Sequence, residues 1–250
     1  MNTIFVHRDG RTESATSIDR SWLGPPLVGK PLYLWVDLAA PSIPESLVLT
    51  DSFAFHPLAV EAARAERQLP AIDAFAGYLF AVVAGADADI SVFVGPHYIV
   101  TVHRAESKAI ADQIDSVRHG GKQFNEGPFA MFHRLVDASV DGLAQVVQTQ
   151  RAGADGLEKR LLEKTTPDVV REVLRARSDA FVLTQRLAGE QEAVERLARR
   201  EIVEISDEMA IRFRHIQHHL ARLTGDLVAI EHRLTGLIAA AGLVSKKGWM

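Results

Sequence analysis

Three histidines crowd one short stretch, His215-Ile216-Gln217-His218-His219. His215 and His219 are four residues apart, so on a helix their rings leave one face, which is the spacing of a two-histidine metal site. Imidazole suits Zn²⁺, Co²⁺ or Ni²⁺, whereas Mg²⁺ prefers oxygen. The plain alternative is a solvated helix face with a histidine that titrates near neutrality. Asp137 and Asp141 repeat the four-residue spacing with carboxylates, which suits a cation contact or simply solvent. His56 and His103 have the chemistry of general bases, but no nucleophile stands in a recognisable context, so structural roles are favoured. Gly24-Pro25-Pro26-Leu27-Val28-Gly29-Lys30-Pro31 keeps phosphate-loop spacing up to its last residue. Pro25 and Pro26 lack the N–H donors that such a loop needs, and Pro31 stands where a hydroxyl is required, so the stretch reads as a turn.

The histidines sit on the stretch around which the chain is organised. From Ser206 to about Val244, apolar residues alternate at intervals of 4 and 3: Met209, Phe213, Ile216, Leu220, Leu223, Leu227, Ile230, Leu234, Leu237 and Ala241. No proline interrupts them. This a/d seam predicts a rod-like helix packed lengthwise on other helices.

Hydrophobic content of 47% and charged content of 24% allow a sizeable core. Net charge is −4, and the first 125 residues hold 10 Lys/Arg against 14 Asp/Glu while the rest hold 18 against 18, so neither half has a field for nucleic acid. There are no cysteines, which excludes disulfides, thiolate metal sites and cysteine nucleophiles. The N-terminus lacks the basic-then-apolar pattern of a signal peptide. No stretch approaches the roughly 18 apolar residues that span a bilayer. The chain as given is therefore expected to be cytoplasmic, without membrane contact of its own.

Residues 1–125 alternate strand and helix signals. Ile4–Val6, Leu32–Leu38, Tyr78–Ala84, Ile90–Val94 and Tyr98–His103 read as strands, and Gly95-Pro96-His97 as the turn joining the last two. Residues 44–51, 57–64 and 105–118 read as helices, the last stopped by Gly120-Gly121, with Pro57 suited to a first turn. The simplest packing is an α/β (α+β) domain, a mixed sheet flanked by helices. A helical hairpin is expected over 126–204, with Thr166 as N-cap and Pro167 at the first position of its second helix. The stalk helix occupies 205–250.

The order of these pieces resembles the CorA family of divalent-cation transport proteins. The resemblance rests on Trp35-Val36-Asp37-Leu38, Phe55-His56-Pro57-Leu58-Ala59-Val60-Glu61, Gln68-Leu69-Pro70-Ala71-Ile72-Asp73 leading to Tyr78-Leu79-Phe80, and Val100-Thr101-Val102-His103. Leu135-Val136-Asp137-Ala138 with Val140-Asp141, and Phe213-Arg214, complete it. It covers roughly residues 30–244. It implies a homo-oligomer, a pentamer in the family, whose parent protein lies in the inner membrane. It also implies a stalk helix running from the cytoplasmic domain to the pore, and Mg²⁺ held between neighbouring subunits.

Three departures stand out. The chain stops at Ser245-Lys246-Lys247-Gly248-Trp249-Met250 without the family's Gly-Met-Asn signature, so it is not expected to conduct ions by itself. Gln68-Leu69-Pro70-Ala71 lacks the basic residues of the family's equivalent word. Glu61 matches a family acid, but Ala62 follows it, and His215 stands where the stalk has an acid. The resemblance therefore implies a metal site using Glu61 and His215, which the four-residue spacing extends to His219, for Mg²⁺ first and for Zn²⁺ or Co²⁺ as alternatives. A zinc-transporting branch of the superfamily, or a scaffold that has lost its channel, are the other readings.

Overall fold

The computed structural model describes residues 2–26, 29–65, 69–120 and 122–247, with side chains described up to residue 242 apart from 122 and 123. Leu27 and Val28 of the turn, Gln68 of the proline word, Gly121, and Gly248-Trp249-Met250 of the tail lie outside the described residues.

Seven strands form one mixed sheet: β1 (Asn2–Arg8), β2 (Arg11–Ala15), β3 (Leu32–Ala39), β4 (Ala71–Phe75), β5 (Tyr78–Val83), β6 (Ile90–Val94) and β7 (Tyr98–His103). Their order is β2-β1-β3-β7-β6-β5-β4, with β3 and β7 parallel and every other pair antiparallel. The central strands are apolar on both faces, as a sheet covered on both sides requires. Alternation along β3 sorts its residues. Trp35 joins the core on one face, while Leu34, Val36 and Leu38 join the core on the other.

Two edge strands escape the sequence expectation. Both β2 and β4 are short and largely exposed, so neither carries an apolar run. Tight turns betray them instead. Asp9 (φ 50°) and Gly10 (φ 74°) close the Arg8–Arg11 pair, and Ala76-Gly77 closes the Phe75–Tyr78 pair. An Asp-Gly dipeptide with both residues left-handed is the two-residue hairpin turn whose twist matches that of its strands.

Three short helices, α1 (Ile43–Ser46), α2 (Val48–Asp51) and α3 (Pro57–Arg64), cover the face that carries Leu34, Phe93 and Val100. His56 caps α3: its Nδ1 accepts the Leu58 N–H at 3.2 Å, which is the structural role favoured for it. Helix α4 (Lys108–Arg118) begins three residues later than its sequence signal, because Ser107 caps it by accepting the Ile110 N–H.

The opposite face receives α4 and three long helices, α5 (Pro128–Glu163), α6 (Pro167–Ala198) and α7 (Asp207–Lys247). The chain is thus a mixed-sheet domain followed by long helices. Thr166 caps α6 with Pro167 first in the helix, as its residues require. Arg200 (φ 57°) ends the turn after α6, and its guanidinium bonds the Ile205 carbonyl and Asp207 at the start of α7. The expected seam of α7 is the buried one. Phe213, Ile216, Leu220, Leu223, Leu227, Ile230, Leu234, Leu237 and Ala241 are all buried against α6 and α5, with Met209 half-buried. A fully buried side chain of this size contributes about 1.5–3 kcal/mol, so the seam alone accounts for why a 41-residue helix stays on its partners.

A buried polar chain ties β3 to β7. Trp35 Nε1 donates to Thr101 Oγ1 at 3.1 Å, and the Thr101 hydroxyl donates to Asp37 at 2.6 Å. His103 Nε2 lies 3.4 Å from Asp37, and His103 Nδ1 lies 2.6 Å from the Ala105 carbonyl. Both ring nitrogens face acceptors, so the imidazolium satisfies both. Burial lowers the His103 pKa, but the Asp37 hydrogen bond and charge, helped by the Ala105 carbonyl, outweigh it and leave the pKa raised. A histidine raised in the folded state stabilises fully below its unfolded value near 6.5, and that stabilisation is lost as pH rises through the folded value. We expect Asp37→Asn to cost about 2–3 kcal/mol at pH near 6 and less at pH near 9, read from urea unfolding at both. An equal cost at the two values would contradict a charged pair.

Candidate functional site

Helices α5 and α7 run side by side, and their polar edges meet in a band. On α5, His133, Asp137 and Asp141 follow one another at four-residue steps. On α7, Arg212, His215 and His219 do so at intervals of 3 and 4. The apolar anchor of the band is Phe213, which is 0% exposed, with ring centroids 5.7 Å from Phe132 and 5.1 Å from His133. Burial lowers the His133 pKa, partly opposed by its hydrogen bond to the Arg212 carbonyl, and its Nε2 is buried without a partner. Burial therefore favours the neutral form of His133.

Above that anchor the band opens to solvent. His219 is half-buried, and its Nδ1 lies 3.9 Å from Asp141 Oδ1. Asp137, Asp141, His215 and His218 are exposed. An imidazole and a carboxylate from two helices thus stand together where each retains a free donor atom.

Below it, charges lock the helix to the sheet domain. Arg212 donates to Glu126 at 2.9 Å and to Glu208 at 2.8 Å, and Arg134 donates to Glu126 at 2.6 Å. The Arg212 hydrogen bond, followed by the effects of Arg134, lowers the Glu126 pKa despite partial burial. Glu126 ends the turn that joins the sheet domain to α5, so this clamp fixes where α7 begins relative to the sheet. Nothing in the sequence pattern singled it out.

Glu61 lies elsewhere. It is exposed on α3, the helix that packs on the face of the sheet remote from α7. One chain brings His219 to Asp141 and keeps His215 one turn away, but it holds Glu61 on the far side of the sheet. A site using Glu61 with His215 needs two copies. Among the described residues no group of three His, Cys, Asp or Glu side chains converges within one chain. The donors present offer at most part of a coordination shell, and one weighted to imidazole, which fits Mg²⁺ less well than a softer ion. No helix of the described residues is long and apolar enough to cross a membrane.

A family model described as "CorA-like Mg2+ transporter protein" matches residues 32–242. The chain is similar to "Putative metal ion transporter YfjQ" of Bacillus subtilis (strain 168), with 26% identity over 198 residues, 77% of this chain and 62% of that protein. It therefore spans a little under two thirds of that relative's length. Its fold is similar to the soluble domain of CorA from Methanocaldococcus jannaschii, at TM-score 0.78 and 13% identity, covering 94% of this chain and 95% of the other. It is similar too to the ZntB cytoplasmic domain from Vibrio parahaemolyticus RIMD 2210633, at TM-score 0.77 and 9% identity, covering 99% and 100%. A sheet domain joined to a long seamed helix, and a family match across nearly all of both, lead to one conclusion: the chain belongs to the CorA-like Mg²⁺ transporter protein family.

Proposed function

We propose that this chain is the cation-sensing, oligomerising part of a CorA-like divalent-cation transport protein, with Mg²⁺ and Co²⁺ as the first candidates. The observation that supports the reading is where the candidate ligands stand. His219 and Asp141 meet on the stalk edge while Glu61 stands on the far side of the sheet. A cation drawing on both surfaces joins two copies of the chain, so binding is coupled to assembly. The assembly is a homo-oligomer, and a pentamer if it follows the family resemblance. Conduction is not carried by the described residues, none of whose helices can span a bilayer. On this reading the parent protein lies in the inner membrane, with this part on the cytoplasmic side.

A second reading has its own support. The donors on the stalk are imidazoles, and the fold matches a ZntB cytoplasmic domain as well as a CorA one. On that reading the cation is Zn²⁺. Calorimetric titration of the purified chain with Mg²⁺, Co²⁺ and Zn²⁺ separates the two. We expect saturable binding of at least one ion, weakened about tenfold or more by His215→Ala, because a lost ligand removes a large part of the binding energy of a small site. Isotherms that His215→Ala leaves unchanged for every ion would remove His215 from the site.

A further inference from the structure

Strands β3 and β7 run parallel, but the chain leaves them in opposite directions. After β3 it turns to the face covered by α1, α2 and α3, and after β7 to the face that receives α4. Such a divergence leaves a crevice outside the carboxyl ends of the two strands, which is where open α/β sheets hold ligands. A hollow of about 390 Å³ lies there, between α1–α3 and Arg104, the residue that follows β7. Its volume falls in the range of small-molecule sites.

The end of β3 shapes one wall. Ala40 stands at φ 45°, a left-handed conformation uncommon outside glycine, and its N–H donates to the His103 carbonyl at 2.7 Å. The turn that follows brings Pro41 and Ile43 into the lining, and Ile43 is 80% exposed. Behind them the buried Leu49, Ala63 and Val102 close the base.

The charged lining is Arg64 and Arg104, both exposed, and no carboxylate joins them among the described residues. Their recorded acceptors are neutral oxygens. Arg64 donates to the Ser46 hydroxyl at 2.9 Å and to the Ser46 carbonyl at 3.5 Å, and Arg104 donates to the Arg64 carbonyl. All three bonds use Nη2, so each guanidinium is oriented and keeps most of its five N–H donors for an anion. A bare inorganic anion would use the arginines and leave Ile43 in water. An anion with an apolar tail answers to both features.

We propose that this hollow binds a monocarboxylate with an apolar tail, its carboxylate held by Arg64 and Arg104 and its tail laid against Pro41 and Ile43. The test is calorimetric titration of the whole chain with octanoate and butanoate, in chelator and near neutral pH. One-to-one saturable binding of octanoate is expected, with butanoate weaker by at least tenfold because it buries fewer methylenes. Attraction to net charge cannot imitate this, since the chain carries −4. Arg104→Met should weaken octanoate about fivefold, and Ile43→Ser about threefold. Melting curves confirm that each variant is folded, and the comparison of tail lengths on the unaltered chain decides the matter even if one is not. No saturable binding, equal affinity for the two acids, or unchanged octanoate binding to folded Arg104→Met or Ile43→Ser would overturn the site. Glu61, His215 and His219 do not line the hollow and the chelator removes metal, so this result is separable from that of the metal titration.

Discussion

Truncating Phe213 to alanine is expected to destabilise the chain by about 3–5 kcal/mol, the cost of removing a fully buried aromatic ring and leaving a cavity. Phe213 has no solvent exposure and packs against Phe132 and His133 at the point where α5, α7 and the Glu126 clamp meet. Its loss removes the contact that seats the stalk helix on α5 just below the open band. Two residues away, Ile211 is 58% exposed, so Ile211→Ala should change stability by no more than about 0.5 kcal/mol. Urea unfolding of both variants checks the contrast. Similar costs for the two would mean that α7 is rotated from the seam described above.

Replacing Glu190 by glutamine is expected to flatten the dependence of stability on pH. Glu190 lies on α6, is 2% exposed, and accepts the Ala84 N–H at the end of β5 at 2.8 Å. One turn earlier Arg186 donates to the Gly85 carbonyl at 2.9 Å and pairs with Asp89 at 2.5 Å. Farther along, Arg196 donates to the Ile72 carbonyl at 2.5 Å. These side chains latch α6 to the backbone of the sheet. Burial pushes the Glu190 carboxyl up to about 8, with Asp89 adding to the rise and the Ala84 N–H and Arg186 opposing it. A carboxyl raised in the folded state holds a proton that the unfolded chain has already released. Its stabilisation is complete below the ordinary value near 4.5 and drains away as pH rises towards 8, at up to about 1.4 kcal/mol per pH unit. Glutamine keeps the acceptor for Ala84 and cannot ionise. The wild-type chain should therefore lose several kcal/mol more than Glu190→Gln between about pH 5 and pH 8. Parallel stability curves would show that Glu190 does not ionise in the latch.

The seam of α7 was legible because an unbroken 4-3 spacing leaves a helix only one face to bury, and each of the ten residues it picked out is buried or half-buried. The strands β5, β6 and β7 were legible for a similar reason, being apolar runs bounded by turns. Edge strands β2 and β4 were not, since most of their side chains face water and only the Asp9-Gly10 and Ala76-Gly77 turns mark them. The Glu190 latch and the Glu126 clamp were out of reach for another reason. Each pairs residues 86 or more positions apart, Glu126 with Arg212 and Ala84 with Glu190, and no local pattern encodes such a pairing. Of the candidate site, the four-residue steps on α5 and α7 were readable, whereas the 3.9 Å approach of His219 to Asp141 and the separation of Glu61 by the sheet were not.

The central claim is that cation binding and assembly are one event, because the two halves of the site lie on opposite sides of each chain. Light scattering of the purified chain, with a divalent cation and then with excess chelator, tests it most directly. The account predicts a larger particle with Mg²⁺, Co²⁺ or Zn²⁺ that shrinks on chelation, and a smaller response in Glu61→Ala and His215→Ala. A strict monomer at every cation concentration would contradict it.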